Sequence, residues 1–252
     1  MAQKIKVGAV SYLNTKPLIY GFEQGMMQDE IELVIDYPAN IADDLINNRI
    51  DIGLVPVAII PLLKEHYIVS DYCIACNGEV ASVCLFSDVP LQEIKTILLD
   101  YQSRTSVALI KILLEEYWKI EPSLIAAETN YENDICGTTA GLMIGDRALA
   151  QRSKNKYVYD LGQAWKEMTG LPFVFAAWVS NKKLPEEFVQ QFNAANALGF
   201  ANLQKVILQN PCTCFDLQTY YTENIKFKLT DNMFTAVKLF LDKLKRNVEA
   251  IP

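Results

Sequence analysis

The chain has 252 residues, of which 51% are hydrophobic and 21% charged, the proportions of an ordinary globular α/β protein able to bury one large core or two small ones. A net charge of −7 leaves no basic footprint, which excludes nucleic acid and anionic membrane surfaces as partners. It leaves room for an anionic small molecule whose charge is met by local donors.

The chain then reads as short β-rich runs alternating with amphipathic helices, the pattern of a parallel α/β sheet. A strand is predicted at 5–10. The helix over 15–25 has Thr15 as N-cap and Pro17 in its first turn. The strand 31–37 and the helix 40–48 follow, and a buried strand at 51–55 ends at Pro56, where a helix carrying Ile59, Ile60 and Leu63 opens. A strand over 67–75 and the Asn77-Gly78 turn lead into another over 80–87. After Asp88-Val89-Pro90 a fresh series begins, with a strand at 96–99, a helix at 105–118, a strand at 142–145, a helix opening near Asp146 and a strand at 173–179. From Pro185 onward the reading is helical, with no further β-rich segment. The simplest topology places 1–87 with 180–252 in one lobe and inserts 88–179 as a second, the two crossings forming a hinge. Ligand sites in such folds lie beyond the carboxyl ends of strands, so the loops there are the ones to read.

The N-terminal run holds too few apolar residues before Asn14 and Lys16 for a signal peptide, and no stretch approaches the length of a membrane span, so a cytoplasmic protein with no membrane contact is expected. The cysteines at 73, 76, 84, 136, 212 and 214 are then read as buried reduced thiols. A metal site would need a second well-spaced pair or more histidines than His66, so neither metal nor cofactor is expected.

Three loops carry candidate chemistry. Ser11, Tyr12 and Asn14 follow the first strand; Asn14 can donate and accept, and it can equally shape a capping turn. Ser103, Arg104, Thr105 and Ser106 lie between a strand and a helix, where hydroxyls, backbone amides and the positive end of a helix suit a carboxylate or phosphate; a plain N-cap would account for one of the hydroxyls. The run lacks the P-loop pattern, which disfavours nucleotide phosphate. Gly145 and Asp146 follow the strand at 142, with Asp146 favoured as a helix cap. Ser82, inside an apolar strand, must find a partner or a ligand, and no G-x-S-x-G elbow marks it as a nucleophile. No carboxylate pair or histidine triad emerges.

At these same positions the sequence resembles the chorismate dehydratases of the futalosine route to menaquinone. The matching stretches are VSYLNTKPL from Val10, DIGLVPVA from Asp51, GEVASVCLFS from Gly78, LDYQSRTSVAL from Leu99, LMIGDRAL from Leu142, TGLPFVFAAW from Thr169 and YYTENIKFKL from Tyr220. The segment 128–140 and the Cys212/Cys214 pair depart from the family pattern. The resemblance implies a two-lobed, type II periplasmic-binding-protein-like fold and loss of water from the dianion chorismate to give 3-[(1-carboxyvinyl)oxy]benzoate. It implies that Asn14 and Ser82 hold the leaving hydroxyl and an adjacent carboxylate. Ser103, Thr105 and Ser106 would bind a carboxylate, and the substrate's enolpyruvyl carboxylate would take the ring proton. A solute-binding receptor for a small carboxylate shares the scaffold, and the sister cyclase that forms dihydroxynaphthoate is expected to need a cleft histidine. A ligand-sensing regulator lacks a DNA-binding segment.

Overall fold

The computed structural model describes residues 4–249. Eleven strands form two sheets among these residues. The first sheet contains β1 (Ile5–Val10), β2 (Ile31–Asp36), β3 (Ile52–Pro56), β4 (Tyr67–Cys76), β10 (Phe173–Ser180) and β11 (Lys226–Lys228), in the order β11-β4-β10-β3-β1-β2. The second contains β5 (Val83–Ser87), β6 (Thr96–Leu99), β7 (Ser123–Ala126), β8 (Thr139–Ile144) and β9 (Tyr157–Asp160), in the order β7-β6-β8-β5-β9.

The helices fall where caps and apolar stripes put them. α1 (Lys16–Glu23) carries Pro17 in its first turn, but Thr15 makes no capping bond; its hydroxyl donates to Asn14 Oδ1 at 3.3 Å. α2 (Pro38–Ile46) starts on a proline, whose missing amide proton is harmless there. α3 (Arg104–Ile112) is capped by Ser103 and runs on in a wider-wound segment to Trp118. α4 (Gly145–Gln151) and α5 (Leu161–Thr169) belong to the second sheet's layer. After β10 come α6 (Glu186–Ala201), α7 (Leu203–Gln209), the short α8 (Leu217–Thr219) and the long α9 (Asp231–Glu249). The expected helix after Pro56 is a short 3-10 segment, Val57–Leu62, with Pro61 inside it.

The structure corrects the expected division of the lobes. β5 was expected with the first sheet and β10 with the second, yet β5 pairs with β8 and β9, and β10 lies between β3 and β4. The chain therefore crosses between sheets at 77–82 and returns at 161–172. Both strands are buried throughout and lie inside their sheets, so burial makes each an interior strand and the pairing partners decide the sheet. The expected strand over 80–87 is also shortened, because Val80 to Ser82 form a tight turn before β5. β11, unforeseen, adds an edge strand to β4.

The helical return packs on the first sheet as expected. Trp178 of β10 meets Phe192 of α6 edge-on, with ring centres 5.0 Å apart, and its indole N–H donates to the buried Asn196 at 2.9 Å. α1 and α6 approach so closely that a Cβ at Gly199 would stand 1.8 Å from the Pro17 carbonyl oxygen. Only glycine permits that contact, which fixes the helix that follows the Asn14 loop.

Candidate active site

The cleft between the sheets collects the ends of β1, β3 and β8, the N-terminus of α3 and the turn at 80–82. Its empty volume is about 520 Å³, open solvent at the mouth included. The walls are largely apolar, with Leu54, Pro56, Ile74, Val83, Ile144 and Phe175 among them. The polar side chains facing in are those of Tyr12, Asn14, Ser82, Ser103, Thr105 and Ser106.

Ser82 reaches the cleft because of strand direction. β5 runs antiparallel to β8, with Val83 opposite Ile144, so the start of β5 lies beside the carboxyl end of β8. Ser82 is thus a turn residue, not the strand-interior residue expected. Its carbonyl accepts from the Gly145 amide at 2.8 Å, and its hydroxyl accepts from the buried Tyr220 hydroxyl at 2.7 Å. That leaves the Ser82 proton free to donate. Burial pushes the Tyr220 hydroxyl far above the usual phenol range, with Ser82 and Asn14 pulling the other way. Ser82, Asn14 and Tyr220 are thus neutral polar groups at one corner.

On the other wall, Ser103 Oγ accepts from the Ser106 amide at 3.1 Å and donates to Ser106 Oγ at 2.8 Å. Thr105 Oγ1 accepts from the Ala58 amide at 3.2 Å. Ser103 has thereby used its proton, while Thr105 and Ser106 retain theirs. The amides of Arg104 and Thr105 lie in the first turn, where no helical carbonyl can reach them. Hydroxyls, amides and helix dipole together give this wall the chemistry that suits an anion, with no cationic side chain among the described lining residues.

Three expected contacts do not line the cleft. Ser11 is exposed, with its amide on the Asp36 carbonyl at 3.1 Å; the alternation of β1 turns it outward. Arg104 pairs with Asp43 of α2 at 2.7 Å, both partly exposed, since the first residue of a helix capped at Ser103 projects to the rim. Asp146 caps nothing; it accepts from the Leu13 amide at 3.0 Å, joining the lobes from behind. Gly145 does line the cleft. Its φ of 63° brings it against the Tyr12 ring, where a Cβ would lie 3.0 Å from the ring carbons, so a larger residue meets both strain and a clash.

Behind Tyr12 lies a buried network that the sequence did not announce. The Tyr12 hydroxyl donates to Gln102 Oε1, which also accepts from Arg147 at 3.1 Å. Arg147 pairs with the fully buried Asp100 at 2.7 Å, and Asp100 also accepts from Tyr131 at 2.9 Å and from the Ile144 amide at 3.2 Å. Burial, reinforced by Asp100, pushes the Tyr12 hydroxyl well above its usual value. The one signal available was Asp100 closing an apolar strand, where a carboxylate needs partners.

Among the described residues no cluster of three or more His, Cys, Asp or Glu side chains stands together, and no helix is long and apolar enough to cross a membrane. Cys73, Cys76 and Cys84 are buried thiols, but Cys136 and Cys214 are exposed and Cys212 partly so, which corrects the reading of all six as buried. His66 lies away from the cleft, on the face shared with α9.

Two sheets facing across an apolar, donor-rimmed cleft define a two-lobed fold of the periplasmic-binding-protein class. A Candida albicans protein described as exhibiting the generic periplasmic binding protein fold superposes with a TM-score of 0.66 at 11% identity, over 100% of this chain and 92% of that one, a likeness of fold alone. The family model for menaquinone biosynthesis matches residues 5–246, and the chain belongs to that family. The chorismate dehydratase of Campylobacter jejuni is 26% identical over 247 residues, 94% of this chain and 96% of that protein. That of Thermus thermophilus is 32% identical over 161 residues, 54% of this chain and 56% of that protein, a match spanning little more than half the length of that relative.

Proposed function

We propose that the chain is a hydro-lyase that removes water from chorismate to give 3-[(1-carboxyvinyl)oxy]benzoate. One observation carries the reading beyond the relatives' names. Among the described residues lining the cleft, Tyr12 is the sole titratable one, and its hydroxyl is engaged by Gln102. A site so furnished can bind, orient and exclude water, and it has no protein base to offer.

Chorismate elimination suits such a site because the product ring is aromatic, so the step is strongly downhill once the geometry is fixed. The Thr105 and Ser106 hydroxyls and the α3 amides receive the ring carboxylate. Ser82 and Asn14 donate to the departing ring hydroxyl. The enolpyruvyl carboxylate takes the proton from the adjacent ring carbon, the C–H electron pair becomes the new ring double bond as the C–O bond breaks, and the carboxyl so formed passes that same proton to the departing hydroxyl, which leaves as water and restores the carboxylate. The apolar walls strengthen each of these hydrogen bonds by keeping bulk water out.

The test is incubation of the purified protein with chorismate, without metal or nucleotide, followed by mass analysis. A product lighter by one water, retaining the enolpyruvyl ether, is expected. Tight binding with chorismate recovered intact overturns the enzyme reading in favour of a carboxylate receptor.

A further inference from the structure

Ser82 sits at the end of a turn that the chain does not adopt by local preference. Ala81 has φ 64°, a left-handed conformation in which a Cβ is strained and which non-glycine residues rarely adopt. The Ser82 amide reaches back to the Val80 carbonyl at 2.8 Å, closing a three-residue turn around Ala81, a strained geometry that surrounding structure must impose.

What imposes it is found 79 residues further on. Asp160, 8% exposed in its side chain, accepts from the Ala81 amide at 2.8 Å through Oδ2 and from the Val80 amide at 3.1 Å through both oxygens. The same carboxylate caps α5, taking the Gly162 and Gln163 amides at 2.9 and 3.1 Å through Oδ1. Arg152 completes the grip: its guanidinium donates to the Ala81 carbonyl at 3.2 Å, lies 3.9 Å from Asp160 Oδ2 and pairs with Glu79. A plain helix cap needs one oxygen and no partners in the crossing; here the second oxygen and the arginine are spent on Ala81.

We propose that Asp160, assisted by Arg152, is a positioning residue for Ser82: it holds the amide of Ala81 while Arg152 holds the carbonyl, forcing the turn that presents the Ser82 hydroxyl to the cleft. The inference rests on the reading that Ser82 acts on chorismate. Neither side chain lines the cleft, so both act through the backbone.

Asp160→Ser separates the two duties, because serine still caps a helix but is too short to reach Ala81. The expected result is a fall in kcat on chorismate of about 10- to 100-fold, the scale of a small misplacement of a reacting group, with KM changed less than about 3-fold. Adding Ala81→Gly, which adopts the left-handed conformation without strain, recovers part of kcat. Arg152→Met gives a smaller loss in the same direction. A merely structural role would instead lower the melting temperature and the active fraction, with kcat per folded molecule unchanged and nothing regained from Ala81→Gly; that result overturns the proposal. Should the unaltered protein leave chorismate intact, the proposed reaction falls, and the Ala81 amide proton decides the positioning claim by itself. Its NMR resonance moves upfield in Asp160→Ser if the carboxylate holds it, and stays in place if the proposal is wrong.

Discussion

The two polar corners of the cleft present hydroxyls by opposite means. At α3 a regular helix does it: Ser103 caps, Thr105 and Ser106 follow in the first turn, and the donors come with the element. At Ser82 an irregular turn does it, held by Asp160, by Gly145 and Arg152 at the two ends of α4, and by Tyr220. The regular corner suits ground-state binding of a carboxylate. The imposed corner suits a donor that must meet the departing hydroxyl at a fixed place. The contrast predicts that damage at α3 appears mainly in KM and damage at the Ser82 corner mainly in kcat.

The largest expected effect follows from Ser82→Ala, which removes the proposed donor to the leaving group and the acceptor of the Tyr220 proton. A fall in kcat of about 100-fold or more is expected, the scale of losing one oriented donor, and Asn14→Ala should behave alike; steady-state kinetics on chorismate measures both. If both variants keep the parent's kcat, the assignment of that corner is wrong. Next, Ser106→Ala should raise KM about 10-fold, one lost hydrogen bond to a charged group, with kcat within a factor of about 3. A drop in kcat instead would dissolve the distinction between the corners. Arg104→Ala should change KM less than about 2-fold and stability by less than about 1 kcal/mol, because the pair with Asp43 is exposed and lies outside the cleft.

The smallest effect concerns Asp146, whose carboxyl burial pushes above its ordinary value of 3.8 against the pull of the Leu13 amide and Lys16. A carboxyl raised on folding contributes stability below 3.8 and loses it as pH rises through the folded value. Asp146→Asn keeps an acceptor for Leu13 without a charge to desolvate, so it should equal or exceed the parent in stability at pH 7, with the gap closing on acidification. Urea melts between pH 7 and 4 would show this, and a variant less stable than the parent at pH 7 would contradict it.

The same contrast explains what was legible in the sequence. The α3 corner could be read because a cap, a helix and a hydroxyl run are local features, although the rim position of Arg104 depended on helix phase against α2. Ser82 could be picked out as a polar residue in an apolar run, but its turn could not, since Asp160 and Tyr220 act over separations of 79 and 138 residues. The sheet exchange of β5 and β10 was hidden for a related reason: both runs are apolar up to a final serine and buried throughout, and composition does not say which sheet buries a strand. Ser11 and Asp146 were named for their place in a loop, and the pleat of β1 and the Leu13 amide sent each elsewhere.

The central claim is that the cleft supplies oriented neutral donors and no base. The pH dependence of kcat/KM on chorismate between pH 6 and 9 tests it most directly, because the substrate carboxylates are ionised throughout and Tyr12 is pushed far above the window. A flat profile is the predicted result. A bell or an acid limb with an enzyme pKa inside that range would contradict it and require a protein base that the cleft does not contain.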